Sequence, residues 1–132
     1  MEWTYRNFTK KSIDLAPLGF EKGAGDETYF CTPKGAKIIG WAGVDGIHYC
    51  LIRGFGEMVF AVSPMDLAPN YVHPLARTFS DFLRLLLACG SCDALEQAWQ
   101  WDEAQFQAFL AENLTTQEQS AVLEQLAQQT DL

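Results

Sequence analysis

Two of the four cysteines stand three apart, in Cys89-Gly90-Ser91-Cys92. That spacing would suit a redox dithiol or half of a zinc site. Redox use needs a thiolate, which a helix N-terminus favours. Cys89 instead closes an apolar helical pattern, at the end where the helix dipole opposes negative charge. Zinc would need two more ligands, and the only histidines are His48 and His73, at a spacing unlike any familiar finger. Both cysteines therefore read as ordinary buried thiols, and neither a metal nor a cofactor is expected. His48 and Cys50 are two residues apart on a strand-like run, so they share a face and are close enough to touch. With no third group to orient the pair, this is packing and not a nucleophile with its base. Ser63 and Ser91 have no base nearby in sequence. Gly40, Gly43, Gly46, Gly54 and Gly56 match no phosphate-binding loop. The acid pairs Asp26-Glu27 and Asp102-Glu103 fall in loops or at helix starts, where the macrodipole and solubility account for them. No catalytic residue emerges, and the chain reads as non-enzymatic.

The elements that would position these residues are clearest in the middle of the chain. Thr28–Thr32, Ala36–Ala42, Ile47–Arg53 and Glu57–Ser63 are rich in β-branched and aromatic residues and are separated by Pro and Gly. Gly43-Val44-Asp45-Gly46 and Gly54-Phe55-Gly56 supply the turns. Strands joined by such short turns pair antiparallel, because parallel pairing needs long crossovers. On the third run Ile47, Tyr49, Leu51 and Arg53 point one way, and His48, Cys50 and Ile52 the other. Met65–Arg77, with Pro69 and Pro74, reads as a loop. Thr78 then caps a helix, with Asp81 as the acidic partner of a capping box. Phe82, Leu83, Leu85, Leu86 and Leu87 form its apolar stripe, and Gly90 stops it. Short helices follow over Asp93–Trp99 and Asp102–Glu112, and a last one starts at Thr115 with Glu118 completing its box. Trp99 and Trp101, near Phe106 and Phe109, read as core anchors, although Trp also marks binding hot spots.

The expected fold is α+β: an antiparallel β-meander of at least four strands covered by an amphipathic helix, with a C-terminal helical extension. Its 132 residues suit one domain with three parts. Residues 1–27 form an irregular arm with a short helix or turn near Thr9–Leu15, and Trp3, Tyr5, Phe8 and Phe20 pack on the rest. Residues 28–90 hold the sheet and its helix, and residues 91–132 the extension.

Charge divides the chain sharply. Up to residue 90, nine acids balance nine Lys and Arg. Beyond it, Asp93, Glu96, Asp102, Glu103, Glu112, Glu118, Glu124 and Asp131 face no Lys or Arg, so the net charge of −8 belongs to the last third. An acidic surface repels phosphate backbones, which argues against nucleic acid as a partner and leaves a basic protein as the natural one. Solubility alone would also explain the acids. The N-terminal residues do not read as an export signal, and no apolar stretch is long enough to span a bilayer. Reduced thiols in a cytoplasmic protein are expected.

Three stretches resemble the SMI1/KNR4 family, also called the SUKH superfamily. Gly40-Trp41-Ala42-Gly43-Val44-Asp45-Gly46 followed by Ile47-His48-Tyr49-Cys50-Leu51 is similar to its strand, glycine turn and strand. Met58-Val59-Phe60-Ala61-Val62 is similar to the next strand. Ala76-Arg77-Thr78-Phe79-Ser80-Asp81-Phe82-Leu83 resembles the start of its sheet-covering helix. Residues 1–27 match the family's N-terminal helical segment poorly, and the acidic extension is longer than the family core requires. The resemblance implies a non-enzymatic protein-binding module, in bacteria often an immunity protein that neutralises a toxin such as a nuclease. It carries no catalytic residues.

Two further readings stand beside this one. A small-molecule site or enzyme would use a pocket between the meander and the loop Met65–Arg77, with His48, Tyr49, Arg53, Tyr71, His73 and Arg77 as its polar lining. A structural role would make the chain a homo-oligomer through a sheet edge or the acidic helices, so it is expected as a monomer or homodimer. Tyr49, Arg53, Tyr71, His73 and Arg77, together with Glu112 and Glu118, make up the candidate ligand or partner surface.

Overall fold

The computed structural model describes residues 3–22, 28–42, 45–96 and 102–132. Gly43 and Val44 of the first turn, the pair Asp26-Glu27, and Trp99 with Trp101 lie outside the described residues. Strands β1 (Ala36–Trp41), β2 (His48–Ile52), β3 (Val59–Val62) and β4 (Val72–Ala76) form one antiparallel sheet in sequential order. Among the described residues five α-helices accompany it: α1 (Tyr5–Thr9), α2 (Phe79–Cys89), α3 (Cys92–Leu95), α4 (Glu103–Glu112) and α5 (Gln117–Thr130). The α+β meander with its covering helix and helical extension is therefore present.

The membership of the sheet differs from expectation at both ends. Thr28–Thr32 is not a strand. The Thr32 N–H donates to the Tyr29 carbonyl at 3.0 Å, and the Tyr29 N–H donates to Thr32 Oγ1 at 2.9 Å, so the segment closes on itself as a turn before Pro33. The fourth strand lies inside the stretch read as a loop, because Pro74 argued against pairing there. Pro74 is tolerated because β4 is the sheet edge, where a missing N–H need cost no ladder bond.

Capping explains where the helices start. The Thr78 hydroxyl accepts from the Asp81 N–H at 3.0 Å, as expected, but the Asp81 carboxylate accepts from Arg84 at 2.7 Å and does not close a box. Full boxes form at Asp102 with Gln105 and at Thr116 with Gln119. The last helix is thus capped one residue later than expected, with Gln119 in the place assigned to Glu118. Near the N-terminus the helix is α1, capped by Thr4; it ends at Thr9, and the expected Thr9–Leu15 element is a turn at Lys10 and Lys11.

One continuous core draws on all three parts of the chain. Tyr49, Leu51, Val59 and Ala61 present one sheet face to Phe79, Phe82, Leu83 and Leu86 of α2. Trp3, Phe8, Leu15 and Leu18 join from the N-terminal arm, and Leu126 from α5. The arm and the last helix hold each other: Trp3 Nε1 donates to the Thr130 carbonyl at 2.8 Å, and Gln119 Nε2 to the Pro17 carbonyl at 3.2 Å. The Trp3 N–H donates to Ser80 Oγ on α2, which seats the arm against the covering helix.

Candidate functional site

Strand alternation gives the sheet a second apolar face that no helix covers among the described residues. Cys50, Phe60 and Val62 are buried there, packed against Cys31, Ala36, Ile38, Ile52, Met58 and Val72. The cover is the turn around Tyr29–Gly35 and a few aromatic rings. Phe30 lies edge-on to Tyr71 with ring centres 5.3 Å apart, and Phe55 edge-on to Phe60 at 5.5 Å. Both rings shield this face while exposing much of themselves: Phe30 is 77% and Phe55 57% exposed. Elsewhere, the β3–β4 connection exposes Met65 and Leu67, at 71% and 85%.

His48 anchors the cover. It is fully buried, its Nδ1 lies 2.8 Å from the Gly46 carbonyl and its Nε2 2.9 Å from Thr32 Oγ1. A carbonyl can only accept, so Nδ1 carries the proton and the Thr32 hydroxyl donates to Nε2. Burial, the largest influence, lowers the His48 pKa and keeps the ring neutral, with the Gly46 bond acting in the opposite direction. Trp41 and Tyr29 pack on the imidazole at 4.7 and 5.7 Å between ring centres. With both nitrogens engaged, His48 locks the turn to β2 and has no free nitrogen to act as a base.

The expected site residues are scattered. Tyr49 is fully buried and belongs to no surface; its hydroxyl sits beside the Cys92 thiol without a hydrogen bond of ordinary geometry. Cross-strand partners share a face. Tyr49 pairs with Ala61 and Ala61 with His73, whereas His48 pairs with Val62 and Val62 with Val72. His48 and His73 therefore point to opposite sides of the sheet and cannot line one pocket. His73 contacts the Asp66 carboxylate. Tyr71 is half-buried against Phe30, Arg53 and Arg77 are exposed, and Glu112 and Glu118 are exposed on α4 and α5. Of the expected set, Tyr71 lies near the loop-covered face, against Phe30. Phe30 and Phe55 were not singled out for it, nor Met65 and Leu67 as exposed. Exposed apolar residues look like core in a sequence, although Phe55 fell in a glycine turn and Met65 and Leu67 in the expected loop.

The dithiol is structural. Cys89 ends α2, Gly90 turns the chain with φ +81°, and Cys92 opens α3. Burial pushes Cys89 up to about 11 and Cys92 up to about 12, so both stay protonated and poor nucleophiles. Cys50 beside His48 is likewise raised to about 11 by burial. Nearby, Glu96 is 8% exposed and its Oε1 has no hydrogen-bond partner. Burial first, then Asp93 and Asp45, raises this carboxyl to about 7. Among the described residues no group of three or more His, Cys, Asp or Glu is placed to hold a metal, and no helix is long and apolar enough to cross a membrane.

No family model, curated protein or solved structure matches this chain.

Proposed function

We propose that the chain is a non-enzymatic protein-binding module of the SMI1/KNR4 type, acting in the cytoplasm, and that its interface is the loop-covered face of the sheet. The observation that carries this reading is that Phe30 and Phe55, large and mostly exposed aromatic rings, lie over one thinly covered face. Water gains nothing from such residues, and apolar surface rimmed by polar groups marks protein contacts. Aromatic anchors supply much of the energy of such contacts. Four unpaired cysteines suit a reducing compartment. The protonated thiols, the engaged His48 and the separation of the two histidines all favour binding over catalysis.

Neutralising a basic toxin is the specific role that the family resemblance and the acidic extension support, since opposite charge speeds encounter. The test is co-expression with any toxin that a neighbouring gene encodes. Phe30→Asp and Phe55→Asp should abolish capture of the toxin and protection of the cell, with the fold retained. Full protection by both variants would sink the proposed interface.

A further inference from the structure

A second surface stands apart from the loop-covered face and rests on different observations. Helix α4 buries none of its residues fully; Phe106, Phe109 and Leu110 pack against the core only in part. Along its side runs a groove lined by Gln105, Ala108, Phe109 and Glu112. These positions follow i, i+3, i+4, i+7, so they form one strip of about two turns on a single face. The strip is apolar in the middle, at Ala108 and Phe109, and carries the Glu112 carboxylate at one end. Leu114, 82% exposed, and Glu118 in the first turn of α5 continue the same chemistry beyond it.

Two features fit this strip for a ligand. The Asp102–Gln105 capping box holds the helix start by its own side chains, at 2.8 and 3.1 Å, so α4 is formed before any partner arrives. Its charge is also uncompensated. Residues 91–132 contain no Lys or Arg, and the described ion pairs are Arg84–Asp81 and His73–Asp66, which leaves the acids of α4 and α5 without an ion-pair partner among the described residues.

We propose that the α4 strip docks a basic amphipathic helix of another protein. One apolar side chain of that helix lies on Ala108 and Phe109, and a Lys or Arg about one turn away meets Glu112. Helices lie in apolar grooves in this way, and complementary charge selects the partner.

The experiment titrates the full-length, isotope-labelled protein with a short amphipathic peptide of lysine and leucine, and with its glutamate–leucine counterpart. The basic peptide should bind saturably, with amide shifts centred on residues 105–118. Raising salt from about 50 mM to about 0.5 M should weaken it. Ala108→Arg, at an exposed position, should weaken binding about tenfold or more at unchanged melting temperature, Glu112→Gln should weaken it less, and Phe30→Asp not at all. Equal binding of the acidic peptide, shifts centred on the sheet, or indifference to Ala108→Arg would each overturn the proposal. So would concentration-dependent shifts at α4 without peptide, which would assign the strip to a second copy of the chain. Because Phe30→Asp tests only the other surface, failure here leaves the loop-covered interface untouched.

Discussion

The two faces of the sheet are made by alternate residues of the same strands, yet they are covered in different ways. On one side α2 lays Phe79, Phe82, Leu83 and Leu86 across Tyr49, Val59 and Ala61, and the arm and α5 close over its edges. On the other, Cys50 and Val62 are just as fully buried, but under a turn and a few half-exposed rings. A helix brings its own backbone hydrogen bonds and many apolar contacts to its cover. A turn brings few, and such regions open locally at lower free energy. Equal burial therefore does not mean equal cover: one face is held by a helix, and the other is the proposed recognition face.

Core truncations are the strongest way to break this comparison. Phe82→Ala should cost about 3–5 kcal/mol, because α2 and the sheet cannot collapse around the cavity. Phe60→Ala on the loop-covered face should cost about 1–2 kcal/mol less, because its 7%-exposed ring borders a cover that can settle. Equal losses in denaturant midpoint would show that both covers are rigid.

Glu96 gives the next largest effect, and its sign is fixed by the shift. Its folded value, about 7, lies above its ordinary 4.5, so between these limits the unfolded chain loses the proton first. Stability must then fall as pH rises through that window, by about 1 kcal/mol once screening by nearby water is allowed for. Below it both states are protonated, and above it both are ionised, so the loss levels off. Glu96→Gln should flatten this part of a stability–pH curve; an unaltered slope would remove Glu96 as its cause.

Trp3→Phe keeps an aromatic ring and removes the Nε1 bond to the Thr130 carbonyl. It should cost about 1 kcal/mol, with faster amide exchange in α5 than in α2. The smallest stability effect belongs to the proposed interface. Phe30→Asp should change the unfolding free energy by no more than about 0.5 kcal/mol. A large loss would place Phe30 in the fold rather than at a binding surface.

Local patterns carried much of this architecture. The alternation of β2, with Tyr49 and Leu51 opposite His48 and Cys50, was legible because the period of two in a strand is strict. The start of α2 at Thr78 and its stop at Gly90 were legible because caps are made within a few residues. The failures have equally local causes. Thr28–Thr32 has strand composition, but its hydroxyl and amide bonds satisfy one another in a turn. Val72–Ala76 hides a strand behind Pro74, a residue whose cost depends on being at a sheet edge. Thr115 and Thr116 are adjacent, and only the position of Gln119 decides which one caps α5.

The sequence by itself determined the α+β class, the meander, the covering helix and the confinement of excess charge to the last third, because each follows from neighbours along the chain. Tertiary structure alone decided that the N-terminal arm and the acidic extension clasp each other through Trp3 and Thr130. It also put His48 and His73 on opposite faces, buried Tyr49, and left Phe30, Phe55, Met65 and Leu67 outside. Whether an apolar side chain is core or interface depends on what lies over it, and that cover comes from residues distant in sequence.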